Sequence, residues 1–239
     1  MKTIIHKANT RGHANHGWLN SYHTFSFAGY YNEERIHFGA LRVLNDDTVA
    51  AGMGFGKHPH DNMEIISIPL SGDLEHQDST GRHEIIKQGD VQIMSAGSGI
   101  AHSEKNANRD KPVSFLQIWV LPKERNIAPR YEQKTFSLSE RKNKLQTVVA
   151  PNDSNAVWIN QNAWFTLGHF SAQQQTEYKQ HLAGNGIYVF VLNGSIEVNG
   201  LQADARDGIG FTDISSLNIN ATTESEFLII EVPMLLHQN

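Results

Sequence analysis

The chain has 239 residues, 39% apolar and 19% charged, with a net charge of -5. This size and balance fit a globular protein of two domains, and a net acidic composition gives nucleic acid and anionic membrane no electrostatic reason to bind. There are no cysteines, which excludes disulfides, thiolate metal sites and cysteine nucleophiles and leaves imidazole and carboxylate as the strong metal ligands.

In chain order, the opening MKTIIHKANTRGHANHGW has no apolar run of signal-peptide length, and no later stretch approaches the roughly 18 apolar residues of a membrane span. A cytoplasmic location is the expectation. His6, His13, His16, His23 and His37 are scattered without regular spacing and read as hydrogen-bonded structural residues. The aromatic cluster Trp18, Tyr22, Phe25, Phe27, Tyr30 and Tyr31 is expected to pack inside the protein rather than against a partner. Short β-branched runs follow at Glu64 to Leu70, Val91 to Met94, Val113 to Leu121, Ile187 to Leu192 and Phe227 to Val232. Between them stand turn signals such as Ser71-Gly72-Asp73, Asp78 to Gly81, Gly89-Asp90, Asn193-Gly194, Asn199-Gly200 and Asp207-Gly208. Helical periodicity is almost absent, so the fold class is all-β.

Two stretches resemble each other. IPLSGDLEHQDSTGRHEIIKQGDVQIM and VFVLNGSIEVNGLQADARDGIGF each read as strand, X-Gly turn, strand, hairpin, strand, Gly turn, strand. This predicts the duplication of one small β-barrel, with the joint in the polar segment from Pro122 to about Leu145. The expected domains are 1–130 and 131–239.

Side chains at i and i+2 of a strand share a face. His58 and His60, in Gly56-Lys57-His58-Pro59-His60, therefore present two imidazoles side by side, and His102 and Glu104 do the same on a second strand. If both pairs converge inside the barrel, they enclose a divalent cation with three nitrogens and one carboxylate. Glu64 has the parity of His58 and His60 and joins their face if no bulge intervenes. His76 and Asp78 form a further i, i+2 pair, but Asp78 precedes Ser79-Thr80-Gly81 and reads more simply as an Asx-type turn. His83 reads as structural.

The segments GFGKHPHDNMEI and EHQDSTGRHEIIKQGDVQIMSAGSGIAHSE resemble the signature of the pirin family, a branch of the cupin superfamily. RGHANHGWLNSYHTFSFAGYY and LQIWVLPKERNIAPRYEQ are similar to its bacterial members with quercetin dioxygenase activity. The resemblance runs from near Arg11 to about Glu132 strongly, and beyond in outline. It implies a bicupin of two jelly-roll barrels, with one metal in the first, held by His58, His60, His102 and Glu104. A general cupin takes its glutamate ligand at the position of Glu64, and here the resemblance leaves Glu64 as a hydrogen-bonding pocket residue. In the second copy, Gln180 and Leu182 stand opposite His58 and His60, and Ala221 opposite His102, so that barrel is expected to be structural.

Three imidazoles and a carboxylate suit Fe(II), Mn, Co, Ni, Cu or Zn, and the resemblance favours Fe(II). It also implies a dioxygenase that opens flavonols such as quercetin with O2 and releases carbon monoxide, with Glu104 as proton acceptor. The partners are then a small aromatic substrate and O2. The alternative is a non-enzymatic redox sensor that contacts a protein partner.

Overall fold

The structure is a computed structural model and describes residues 1–235. Among these, strands form four sheets, two of seven strands and two of four. In each half a large and a small sheet close into a barrel, so the chain is a bicupin of two jelly rolls. No helix of the described residues is long and apolar enough to cross a membrane.

The large sheet of the first barrel runs Arg130–Thr135, Asp90–Ser95, Glu64–Ser71, Val113–Val120, Leu41–Val49, Leu19–His23, Gly12–Asn15. Its small sheet runs Gly54–His60, Ile100–Asn106, Leu74–Asp78, His83–Ile86. The second barrel repeats this plan. Its large sheet runs Lys2–His6, Gly208–Thr212, Asn185–Asn193, Ser225–Pro233, Trp164–Phe170, Leu145–Ala150, Val157–Trp158. Its small sheet runs Gln175–Lys179, Ser216–Ala221, Ser195–Val198, Leu201–Asp204. The two stretches that resemble each other in sequence occupy corresponding strands, as a duplicated unit requires.

Sheet membership does not follow the chain order that a division at 130/131 assumes. Arg130–Thr135 pairs along its length with Asp90–Ser95 of the first barrel, whereas Lys2–His6 crosses to pair with Gly208–Thr212 of the second. The two strands occupy the same edge position in their sheets. Each completes a row of backbone donors and acceptors that an exposed edge would leave open. The N-terminus is anchored there by His6, whose Nδ1 lies 2.8 Å from the Tyr188 hydroxyl.

Strand alternation sorts the side chains of the large sheets into two sets. One set forms the core between the barrels: Leu44, Ile66, Ile68, Leu116 and Ile118 from the first meet Phe165, Tyr188, Phe190, Leu228 and Ile230 from the second. Each fully buried side chain of this size is worth about 1.5–3 kcal/mol, so this apolar contact holds the two halves together. Phe25 belongs to this core, 5.7 Å from Tyr188 ring to ring, which places part of the aromatic N-terminal cluster between the barrels. Tyr31 stays exposed.

The other set fills the barrel interiors, and here the two halves differ. The second barrel is packed with Ile187, Val189, Val191, Ile196, Phe211, Phe227 and their neighbours. The first is apolar at one end, with Leu19, Val49, Leu74, Val113 and Phe115. Its middle is polar: Ser21, Asp47, Ser67, His76, Glu104 and Gln117 are all buried. A polar belt inside a barrel costs stability unless every group is paired, and this belt of hydroxyl, amide, imidazole and carboxyl groups sets the first barrel interior apart from the largely apolar second.

Candidate metal centre

His58 and His60 stand on Gly54–His60, and His102 on Ile100–Asn106, paired so that His102 faces His58. Parity brings the first two to one face, and the antiparallel register brings in the third. One nitrogen from each lies within 4.8 Å of the others. Ring centroids are 4.8 Å apart for His58 and His60, 4.6 Å for His58 and His102, and 4.9 Å for His60 and His102. His102 is buried and the other two half-buried, so the group opens at the mouth of the barrel.

The glycines around these strands serve geometry. Gly97 has φ +50, and a Cβ there would stand 2.1 Å from the carbonyl oxygen of Ile127. Ser98 N donates to that same oxygen at 2.9 Å. Only glycine lets the turn before His102 approach the 127 backbone this closely.

The nitrogens that face one another are chemically prepared for a cation. Nδ1 of His58 is 2.7 Å from the carbonyl oxygen of Gly56, which makes it the donor and leaves Nε2 with the lone pair. Nε2 of His60 and Nε2 of His102 are both buried without a hydrogen-bond partner. Burial, reinforced by the His58 charge, pulls His60 down to about 4. Burial and the charges of His58, His60 and His76 pull His102 down to about 2. Both rings are thus neutral at pH 7. An unpartnered buried polar atom costs about 1–3 kcal/mol, and a cation among the three lone pairs removes that penalty. The donor set fits a divalent transition metal.

Glu104 lies on the strand of His102, with a register shift between the two against Gly54–His60. It stands apart from the compact histidine group. Its carboxylate is buried in the polar belt, with Ser67 Oγ 2.9 Å from Oε1 and Gln117 Nε2 donating to Oε2 at 2.5 Å. Burial pushes the carboxyl up, against the Ser67 hydrogen bond and the charges of His76 and His58. Beyond it, Ser21 donates to Asp47 and meets Nε2 of His23 at 2.8 Å. Burial, opposed by Ser21 and reinforced by Glu104, lifts Asp47 to about 7. Two carboxyl groups therefore share this interior.

The parity argument for Glu64 does not hold. Gly54–His60 ends at His60, and a corner with Asn62 at φ +47 leads into Glu64–Ser71 in the other sheet. Asn62 N donates to the carbonyl of Gly97 at 2.9 Å and fixes that corner. Glu64 is fully buried, and its Oε2 accepts from Ser95 Oγ at 2.8 Å and from the backbone N–H of Asn160 at 3.1 Å. It ties the first barrel to the second.

Three residues beside the centre carry little sequence signal. Ser67 and Gln117 come from two paired strands, opposite one another, and only the closed barrel shows that they meet Glu104. Trp119 packs edge-on against His60, centroids 5.0 Å apart, with its indole nitrogen buried and unpartnered. His76 is fully buried. The Asx turn at Asp78 is present, with Thr80 N donating to Oδ1 at 2.9 Å, but the same carboxylate also meets Nε2 of His76 at 3.1 Å.

The second barrel holds nothing comparable among the described residues. Ala221 is buried in its apolar core, Leu182 is exposed, and His181 stacks on Trp164 at 4.9 Å. Its buried Glu231 is saturated by Tyr178 Oη, the N–H groups of His181 and Leu182, and Asn185 Nδ2. A cleft of about 550 Å3 opens between the barrels, bordered by Asn62, Leu121, Arg125, Gln161, Leu182 and Met234. None of the four predicted ligands lines it.

Comparison with known proteins shows the family and the fold. Residues 5–120 match the family model described as Pirin, and residues 147–232 match that of the quercetinase C-terminal cupin domain. The chain is 42% identical over 230 residues to a quercetin 2,3-dioxygenase of Escherichia coli (strain K12), covering 96% of this chain and 98% of that protein. It is 39% identical over 222 residues to a pirin-like protein of Caulobacter vibrioides, covering 92% and 95%. The crystal structure of the bacterial pirin YhhW from Escherichia coli in complex with nickel(II) superposes with a TM-score of 0.93 at 40% identity, covering 98% of this chain and 100% of that one. An oxalate decarboxylase of Lactobacillus farciminis, 13% identical with a TM-score of 0.69, shares the fold alone. The chain belongs to the pirin family.

Proposed function

We propose that the protein is a metal-dependent dioxygenase that opens the ring of flavonols such as quercetin with O2 and releases carbon monoxide. We assign the metal, Fe(II) in the first instance, to His58, His60, His102 and Glu104. The observation that carries this reading is the set of three imidazoles with one nitrogen of each within 4.8 Å of the others, Nε2 of His60 and of His102 being buried and unpartnered, beside a buried carboxylate in the same barrel. The full-length likeness to a protein named quercetin 2,3-dioxygenase supports the substrate class.

A divalent metal bound there supplies Lewis acidity and a template for the substrate. The residues do the rest. Neutral His60 and His102 hold the centre without first losing protons, and His58 joins them with its Nδ1 held by the Gly56 carbonyl. Glu104, its affinity for protons raised by burial, takes up the proton of the substrate hydroxyl, while Ser67 and Gln117 hold its carboxylate in place. Trp119 and Met63, packed around Ile65, Met94 and Ile100, give the mouth of the barrel an apolar wall for a flat ring.

The test is anaerobic reconstitution with Fe(II), then with Mn, Co, Ni, Cu and Zn, followed by measurement of quercetin loss, O2 uptake and carbon monoxide. Metal-dependent turnover with one carbon monoxide per quercetin, absent from His102→Ala, is the expected result. A fully loaded protein that turns over no flavonol with any metal would sink the dioxygenase reading and turn the search to a metal-dependent binding role.

A further inference from the structure

The pair His76 and Asp78 is sealed from solvent, with neither side chain exposed. It stands on Leu74–Asp78, paired with the strand of His102 so that His102 faces Asp78 and Glu104 faces His76. Oδ2 of Asp78 is 3.1 Å from Nε2 of His76, and Nδ1 of His76 is 3.5 Å from Nδ1 of His102, long for a hydrogen bond, though neither of these two nitrogens has another hydrogen-bond partner. Tyr131, delivered by the linker strand Arg130–Thr135, covers His76 with centroids 4.9 Å apart, and Arg82 lies over Tyr131. The pair is thus built in from both sides.

The protons can be followed atom by atom. A carboxylate only accepts, so Nε2 of His76 carries its hydrogen. In a neutral ring Nδ1 is then a lone pair, and the nitrogen facing it, Nδ1 of His102, must bring the proton. That leaves the lone pair of His102 on Nε2, the atom that is buried without a partner among the other imidazoles. We infer that Asp78 and His76 form an outer-sphere relay that fixes the tautomer and orientation of His102 and strengthens it as a metal ligand. Carboxylate to histidine to ligand contacts of this kind raise ligand basicity, and their loss costs about 10- to 100-fold in metal affinity. Here a second histidine is interposed: Oδ1 of Asp78 accepts from Thr80 N, and Oδ2 meets Nε2 of His76. The inference rests on the metal-centre reading above. His76 and Asp78 are positioning residues and touch neither metal nor substrate.

Three variants test the relay in the full-length chain, with Co(II) as the probe. Asp78→Asn keeps an oxygen for Thr80 N and turns its NH2 toward His76, which places donors against donors along the line. His76→Leu fills the space without either contact. His76→Gln supplies an amide oxygen to His102 and an NH2 to Asp78, so it preserves the sense of the line. Co(II) affinity is read by competition with a chromophoric chelator, and the paramagnetically shifted imidazole N–H signal of His102 by NMR. Wild type and His76→Gln are expected to bind within about threefold of each other and to show the slowly exchanging signal. Asp78→Asn and His76→Leu are expected to bind about 10- to 100-fold more weakly and to lose it. Unchanged affinity and spectrum in Asp78→Asn would overturn the relay, even if His76→Leu fails to fold. Equal losses in His76→Gln and His76→Leu would overturn it too, in favour of packing alone. A folded wild type that binds no Co(II) would remove the metal centre itself, a distinguishable failure.

Discussion

His60→Ala separates the cost of an empty metal site from the gain of a filled one. In the metal-free protein Nε2 of His60 is buried and bonded to nothing, so the imidazole contributes packing against Trp119 at 5.0 Å while carrying an unpaired polar atom. Loss of the packing destabilises, and loss of the unpaired atom returns about 1–3 kcal/mol. The two oppose, and the metal-free variant is expected to lie within about 2 kcal/mol of wild type. A metal that binds only the folded state stabilises by about 2.7 kcal/mol at a hundredfold excess over its dissociation constant. For a chain of this length each kcal/mol moves the melting temperature by about 2–4 °C, so metal should raise wild type by about 5–11 °C and His60→Ala hardly at all. Thermal unfolding of chelator-stripped protein with and without Ni(II), followed by near-ultraviolet circular dichroism, reads both effects. A His60→Ala protein that gains the full wild-type shift would refute the ligand assignment. A wild type that gains none would refute the site.

Further outcomes follow from other buried groups. Glu64→Ala leaves Ser95 Oγ and the Asn160 N–H without their acceptor between the barrels, at about 1–3 kcal/mol for each stranded group. Denaturant unfolding should show that loss with Ni(II) affinity unchanged, whereas a collapse of affinity in the folded variant would return Glu64 to the metal shell. His6 is held down to about 4 by burial and by the charge of Arg35. The unfolded chain therefore takes up a proton near pH 6.5 that the folded one refuses. Stability from this group is complete above pH 6.5 and declines toward pH 4, by at most about 1.4 kcal/mol per pH unit. His6→Phe should flatten that decline in urea titrations between pH 7.5 and 4.5, and an unaltered slope would show that other groups set it.

Much of the architecture is local and therefore legible along the chain. Gly72, Gly89, Gly194 and Gly200 adopt positive φ, and the turns they mark separate strands whose alternation follows from side-chain parity. His58 with His60, and His102 within its strand, come to one face for the same reason. The corner at Asn62 was not legible, because φ +47 there depends on the hydrogen bond from its N–H to Gly97, remote in sequence. That corner removes Glu64 from the face of the histidines. Ser67 and Gln117 were equally silent, since their value lies in meeting Glu104 across the barrel.

The amino-acid sequence by itself determined the all-β class, the duplication, the family, and the pairing of His58 with His60, because each rests on spacing within a few residues or on a pattern repeated along the chain. Tertiary structure decided which residues complete the site and which barrel each edge strand joins. Lys2–His6 and Arg130–Thr135 choose their barrels by open backbone groups at a sheet edge, and His76 reaches His102 only through the register of two strands. Those are contacts between distant segments, and no local rule of parity or turn chemistry specifies them.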